Sequence, residues 1–283
     1  MCRLYAQVSS KPESARDLLV DSEFSLLRQA DGDPANPQKD GWGVAWFGAD
    51  GRPKVVKSGG SAAVERDAFT RAADGAVSST VVAHLRAASN PNINADYAHP
   101  FEDEGWVFIH NGTLTIGNEV AAALGTRKAR LKTDSDSEIY FQQFLKHLAA
   151  TGDPSRAFEA CINENWKLWE TCRTRYPDAS TPYSSLNAIA SDGRGIHALC
   201  HASRRGLADC GVFHCDQKWS VMSFSSRRGR FVISSEGEDG GDWTLASPPE
   251  TISAVPMGSR IDVRRRALSL ASPLGPVPEV SRS

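Results

Sequence analysis

Cys2 follows the initiator methionine directly, and a side chain of that size is compatible with removal of Met1, which leaves a cysteine carrying a free α-amine. An α-amine titrates near ~7.7–8.0 and a cysteine thiol near ~8.5, so at neutral pH the amine can take the thiol proton without a histidine. One residue would then supply both nucleophile and base. A cysteine at position 2 can also be accidental, and the position alone proves little. Three later segments hold the other parts that cleavage of an amide needs. His84-Leu85-Arg86-Ala87-Ala88-Ser89 closes an apolar run, and its guanidinium could grip a substrate carboxylate through two parallel N–H donors. His110-Asn111-Gly112 closes another, where the Asn amide and the Gly N–H could converge on a developing oxyanion. Ser135-Asp136-Ser137-Glu138 opens a helical stretch, where a carboxylate could meet a substrate ammonium. Each has a plainer reading: Arg86 as a surface charge, Asn111-Gly112 as a turn, Asp136 as a helix cap. Their joint occurrence is the signal.

Stepping outward from these residues, the apolar runs that must position them are short and rich in branched or aromatic side chains. Residues 44–47, 80–85 and 106–109 read as buried strands. Helical character falls at about 14–29, 62–73, 135–150 and 154–172, and in the third of these Ile139, Tyr140, Phe144, Leu145 and Leu148 share one face. The second half reads as five short strands at 185–191, 196–202, 212–215, 221–224 and 230–234. Ser191-Asp192-Gly193-Arg194-Gly195 is a hairpin turn between the first two. Strands both precede and follow the helices, which predicts an α+β protein of stacked sheets covered by helices rather than a regular β-α-β alternation. Trp42 and Trp46 lie at i and i+4 on one strand face, either packing in the core or bordering a pocket.

The order and spacing of Cys2, the His84–Ser89 string, His99-Pro100, His110-Asn111-Gly112 and Ser135-Asp136-Ser137-Glu138 resemble the class II, or N-terminal-nucleophile, glutamine amidotransferases. Asp40-Gly41-Trp42-Gly43-Val44-Ala45-Trp46 and Ser25-Leu26-Leu27-Arg28-Gln29 are similar to a narrower group of stand-alone glutaminase-like domains, which includes the glutathione-degradation and ergothioneine-pathway amidohydrolases. The resemblance is strong over about residues 2–145 and continues weakly through 186–194 and 232–236. It implies a four-layer αββα sandwich of two antiparallel sheets flanked by helices, in a single domain over residues 2–270. It further implies hydrolysis of the γ-glutamyl amide bond of glutamine or a γ-glutamyl compound through a thioester on Cys2. By the same resemblance the catalytic set is Cys2, Asn111 and Gly112, and the substrate-binding set is Arg86, Asp136, Ser89 and His99. Arg86 would take the α-carboxylate and Asp136 the α-ammonium; Asp136 is preferred over Asp134 because it heads the aspartate-serine-glutamate string. This chain has Ala87 where many ammonia-channelling members have Trp, and about 140 residues follow Asp136, most of them needed to complete the sandwich. Two rival expectations stand beside the hydrolase: a glutaminase subunit donating ammonia to a separate synthase, and a catalytically silent binding module of the same fold.

Composition bounds the rest. The 283 residues are 40% hydrophobic and 23% charged, ordinary for a globular chain. Lys and Arg number 32 against 34 Asp and Glu, which gives no reason to expect a nucleic acid or anionic membrane partner. The expected partner is a small-molecule γ-glutamyl substrate, with a partner subunit left open. No apolar run reaches the roughly 20 residues that cross a bilayer and none has signal-peptide length, so the expected location is cytoplasmic. The 6 cysteines are too sparse for a disulfide scaffold. His197, Cys200, His201, Cys210, His214 and Cys215 invite a zinc reading, but the spacing lacks a Cys-x-x-Cys pair, and no metal or other cofactor is expected. The basic runs at 204–205, 227–228 and 264–266 read as solvated loops. From Ala271 onward Pro, Ser and Gly predict a flexible tail over 271–283.

Overall fold

A computed structural model of the chain describes residues 2–34, 36–88, 92–203, 211–214, 217–227 and 229–270. Its strands are β1 (Arg3–Ser14), β2 (Trp42–Phe47), β3 (Pro53–Ser58), β4 (Val77–Leu85), β5 (Phe101–Asp103), β6 (Trp106–Asn111), β7 (Asn187–Ser191), β8 (Ile196–Cys200), β9 (Ser223–Arg227), β10 (Arg230–Ser234), β11 (Thr244–Leu245), β12 (Glu250–Met257) and β13 (Arg260–Ala267). The helices are α1 (Leu26–Gln29), α2 (Arg66–Gly75), α3 (Gly117–Ala122), α4 (Asp136–Thr151) and α5 (Pro154–Cys172).

The strands form two sheets, β11-β9-β10-β1-β4-β2-β3 and β13-β12-β8-β7-β6-β5, in which every paired strand runs antiparallel. Alternation along each strand sends successive side chains to opposite faces, so each sheet must bury two apolar surfaces. Leu4, Ala6, Val8 and Val82 of the first sheet meet Val107, Ile109, Ile189 and Ile252 of the second between the sheets. The outer face of the first sheet packs Tyr5, Val81, Ala83 and Leu85 against α1, α2 and the π-helical turn Asp17–Asp21. The outer face of the second packs Phe108, Ala188 and Leu199 against α3, α4 and α5. Three apolar layers between four structural layers make this the expected α+β sandwich of two antiparallel sheets flanked by helices.

The helices expected at 62–73, 135–150 and 154–172 are α2, α4 and α5, and Pro154 heads the last at a position where its missing N–H costs nothing. The expected helix over 14–29 is not one element: β1 runs through Ser14, and only the π-helical turn and four-residue α1 follow. Val212 to His214 form no strand, and β12 and β13 add a hairpin that the five-strand reading of the second half lacked. Ser89, Cys210, Cys215 and the expected tail over 271–283 lie outside the described residues.

Candidate active site

Register decides which side chains meet. In the β1–β4 ladder Leu4 pairs with His84 and Arg3 with Leu85, so one further step sets Cys2 opposite Arg86. Leu4 points into the gap between the sheets, so by alternation Cys2 and Arg86 point there too, at the mouth where β1 begins and β4 ends. The Cys2 thiol donates to the Ala87 carbonyl at 3.6 Å. Arg86 is only 5% exposed, and its Nη1 donates to the carbonyls of Asp40 (3.1 Å) and Asn92 (2.9 Å).

Asp40 turns this strand end into a fixed corner. Its N–H donates to the Arg86 carbonyl, and the Arg86 N–H donates to the Gly41 carbonyl, so the β2–β4 pairing continues past both strands. The buried Asp40 carboxylate then accepts the Ala88 N–H at 2.8 Å. The next glycine but one has a packing reason: a Cβ at Gly43 would run into the His99 carbonyl oxygen.

On the second sheet β6 ends at the same mouth. Val107 and Ile109 face the gap, so Asn111 does as well. Asn111 is 3% exposed, and its carboxamide, on the face that lines the gap, can supply a donor at the mouth. A Cβ at Gly112 would run into the Ser185 carbonyl, so only glycine fits there. Asp136 begins α4, with one oxygen accepting the Leu114 N–H (2.8 Å) and the other the Ser137 N–H (2.9 Å). The head of α4 is thereby tied to the chain two residues past Gly112. Asp134 is instead engaged by the Tyr97 hydroxyl at 2.6 Å.

Histidines lock the two sheets together behind this mouth. His84 Nε2 donates to the His110 carbonyl (3.2 Å), bridging β4 and β6, while His110 Nε2 donates to the Ser185 carbonyl (3.1 Å) and its Nδ1 meets the Ser137 hydroxyl (3.0 Å). His99 stacks on His84 with ring centroids 4.0 Å apart, and both of its nitrogens are buried without a partner. The His99 ring, 3% exposed, stands behind His84 as seen from the mouth. Burial lowers all three imidazoles, His84 to about 3, so they are neutral at physiological pH.

Burial also pushes the Cys2 thiol up; the Arg86 guanidinium pulls it down and the Asp136 carboxylate pushes it further up. Both charges therefore act on the sulfur. Cys2, Arg86, Asn111, Gly112 and Asp136 are gathered at one end of the sandwich. Of the zinc candidates among the described residues, His197 bonds Ser253 on the outer side, whereas Cys200 points inward to the Ser220 carbonyl, and among the described residues no cluster could hold a metal ion. Trp42 packs edge-on against Phe69 in the outer core and donates to Glu65. Asp40 is the site residue that chemistry in the sequence did not single out; its signal was the Asp-Gly-Trp-Gly string that contains it.

A cysteine heading a central strand of two stacked antiparallel sheets defines an N-terminal-nucleophile type of sandwich. The chain belongs to the class-II glutamine amidotransferases, whose family model matches residues 1–209. It is 26% identical to "Putative glutamine amidotransferase YafJ" of Escherichia coli over 214 residues, covering 71% of this chain and 73% of that one. A Haemophilus influenzae protein of the same description is 33% identical over 251 residues, covering 78% and 81%. Among solved structures, a glutamine aminotransferase class-II domain protein from Silicibacter pomeroyi superposes with a TM-score of 0.64 at 20% identity, over 95% of this chain and 100% of that one. Glutamine phosphoribosylpyrophosphate amidotransferase from Bacillus subtilis superposes with a TM-score of 0.56 at 14% identity, over 93% of this chain and 49% of that one. At such identities these structures speak for the fold. No helix among the described residues is long and apolar enough to cross a membrane.

Proposed function

We propose that this protein, as one cytoplasmic domain over residues 2–270, hydrolyses the γ-glutamyl amide bond of glutamine or a larger γ-glutamyl compound through a thioester on Cys2. The observation that carries the reading is the register of β1 against β4, which sets Cys2 opposite Arg86, with Asn111 at the end of β6 on the same mouth. Arg86 takes the substrate α-carboxylate and Asp136 the α-ammonium, so the glutamyl headgroup is gripped at its far end and its γ-carbonyl is laid over the sulfur. Burial keeps the thiol protonated, so attack needs a base that removes the proton as the C–S bond forms; the α-amine freed by loss of Met1 is one bond from Cα and fits that need. The oxyanion is held by Asn111 Nδ2 and the Gly112 N–H. The tetrahedral intermediate expels the amine, which leaves with the proton carried by the α-ammonium. Water then attacks the thioester, gives its proton to the α-amine, and releases glutamate and the free thiol.

The test is direct. Intact mass should show loss of Met1, and the processed protein should release glutamate from members of a panel of glutamine and γ-glutamyl peptides. Cys2→Ala should abolish turnover with an unchanged fold, and Asn111→Ala should lower kcat by ~100- to 1000-fold. A fully active protein that retains Met1, or Cys2→Ala with wild-type turnover, overturns the reading.

A further inference from the structure

We propose that Glu236 and Arg3 form a buried clamp that positions the Cys2 nucleophile. The proposal rests on the reading of Cys2 given above and adds two residues that touch no substrate. Cys2 overhangs β1, whose ladder to β4 begins only at Arg3, so residues 3 and 4 set where the sulfur and the α-amine point. The chain after β10 grips both. Ser235 donates its N–H to the Leu4 carbonyl (2.9 Å) and accepts the Leu4 N–H on its hydroxyl (2.9 Å). One step further the pairing of Tyr5 with Ser234 carries Glu236 opposite Arg3, and the two are cross-strand neighbours with Nη1 and Oε1 4.0 Å apart.

Neither charge has water to fall back on. Glu236 is 0% exposed and Arg3 is 5% exposed, so the desolvation of each must be offset by partners. Glu236 has them: Oε1 accepts the Val212 N–H (3.0 Å) and Oε2 those of Phe213 (3.3 Å) and His214 (3.4 Å), while the Ser234 hydroxyl bonds its carbonyl. Phe213 and His214 in turn pack on Phe24 with ring centroids at 5.4 and 5.3 Å. The other acid nearby, Glu238, is pushed up by burial and by the Glu236 carboxylate and receives the Gln29 amide. Arg3 acts on that carboxyl as well and pulls it down, while the Arg3 guanidinium lies nearest the Glu236 carboxylate at 4.0 Å. Because successive side chains leave a strand on opposite faces, drawing Arg3 to the outer face holds Cys2 toward the mouth. A shift of ~1 Å in a reacting group can cost ~100-fold in rate, which is the leverage such a clamp has.

The test reads the thiol itself as well as turnover. In protein lacking Met1, Cys2 is alkylated with iodoacetamide across pH 5.5 to 9.5 and followed by intact mass, and kcat and KM are measured on a γ-glutamyl substrate that the wild type cleaves. Glu236→Gln keeps volume and an acceptor but removes the charge. Arg3→Gln removes the other half, and Arg3→Lys restores a cation. Expected are a ~10-fold or greater fall in alkylation rate with a displaced pH inflexion for both neutral variants, a matching fall in kcat at a KM within about twofold, and recovery in Arg3→Lys. Alkylation profiles of Glu236→Gln and Arg3→Gln that superimpose on the wild type overturn the clamp. If Glu236→Gln does not fold by circular dichroism, Arg3→Gln decides alone. Displaced alkylation in a protein that cleaves no γ-glutamyl compound sinks the substrate reading and leaves the clamp standing.

Discussion

A half-buried thiol and a buried arginine held by carbonyls owe their places to backbone. Arg86 spends Nη1 on the Asp40 and Asn92 carbonyls, and the carbonyl that receives the Cys2 thiol belongs to a turn fastened by the Asp40 carboxylate. Asp40→Ala leaves the Ala88 N–H without that acceptor and lets the turn carrying both Arg86 and Ala87 drift. A hydrogen bond to a charged group contributes ~1.5–3 kcal/mol, so kcat/KM should fall by ~10- to 100-fold, mainly through KM because Arg86 holds the substrate headgroup. Asp40→Asn keeps an oxygen for Ala88 and should recover most of the loss; steady-state kinetics of the two variants check it, and equal activity of Asp40→Ala and wild type would remove Asp40 from the site. The residues that do the proposed chemistry were legible in the sequence because their side chains have chemical identities. Asp40 and Glu236 were legible only as parts of strings, since an acid that works by collecting N–H groups looks like any other acid until its neighbours are placed.

At the scale of elements, the site exists because β1 starts, β4 and β6 end and α4 starts at one mouth of the sandwich. α5 lies far from that mouth in function, packing Phe158, Ile162 and Trp166 into the outer core. Its cap is Asp153, whose carboxylate accepts the Arg156 N–H at 2.9 Å. Asp153→Ala should lower unfolding stability by ~0.5–2 kcal/mol in urea titration while leaving turnover unchanged, and an unchanged midpoint would refute the cap. That helix was legible to the residue because Pro, the cap and the apolar spacing agree. β1 was not: Arg3 to Ser9 are buried on both faces, so no alternation marks them. β13 was hidden for the opposite reason, as an edge strand whose Arg264, Arg265 and Arg266 are exposed and read as a loop. Val212 to His214 look like a strand in composition, yet their N–H groups go to the Glu236 carboxylate instead of a ladder. Composition says that a segment is buried; it does not say which acceptor will claim its backbone.

For the molecule as a whole, the three neutral histidines behind the mouth couple stability to pH. His84, His99 and His110 all have folded-state pKa values below the ~6.5 of an unfolded histidine, His84 at about 3, because burial disfavours their charge. Below pH ~6.5 the unfolded chain binds protons that the folded chain refuses, so their contribution is intact above that pH and is lost as pH falls toward the folded values. Glu238 opposes them: its carboxyl is raised, so its contribution is full below the unfolded value near ~4.3 and is lost as pH rises. Between those limits the buried imidazoles work against folding as pH falls and Glu238 works for it, so the histidines set the direction of the change. Denaturant midpoints should be level from pH 7.5 to 6.5 and fall steeply by pH 5, and a midpoint that holds to pH 5 would mean the imidazoles are charged or exposed. His99→Leu isolates the cause. Both nitrogens of that ring are buried without partners, so an apolar side chain of similar size forfeits no hydrogen bond and should be close to neutral in stability at pH 7.5. Below pH 6.5 the same substitution removes one group that refuses a proton in the folded state, so its midpoint should fall less steeply than that of the wild type.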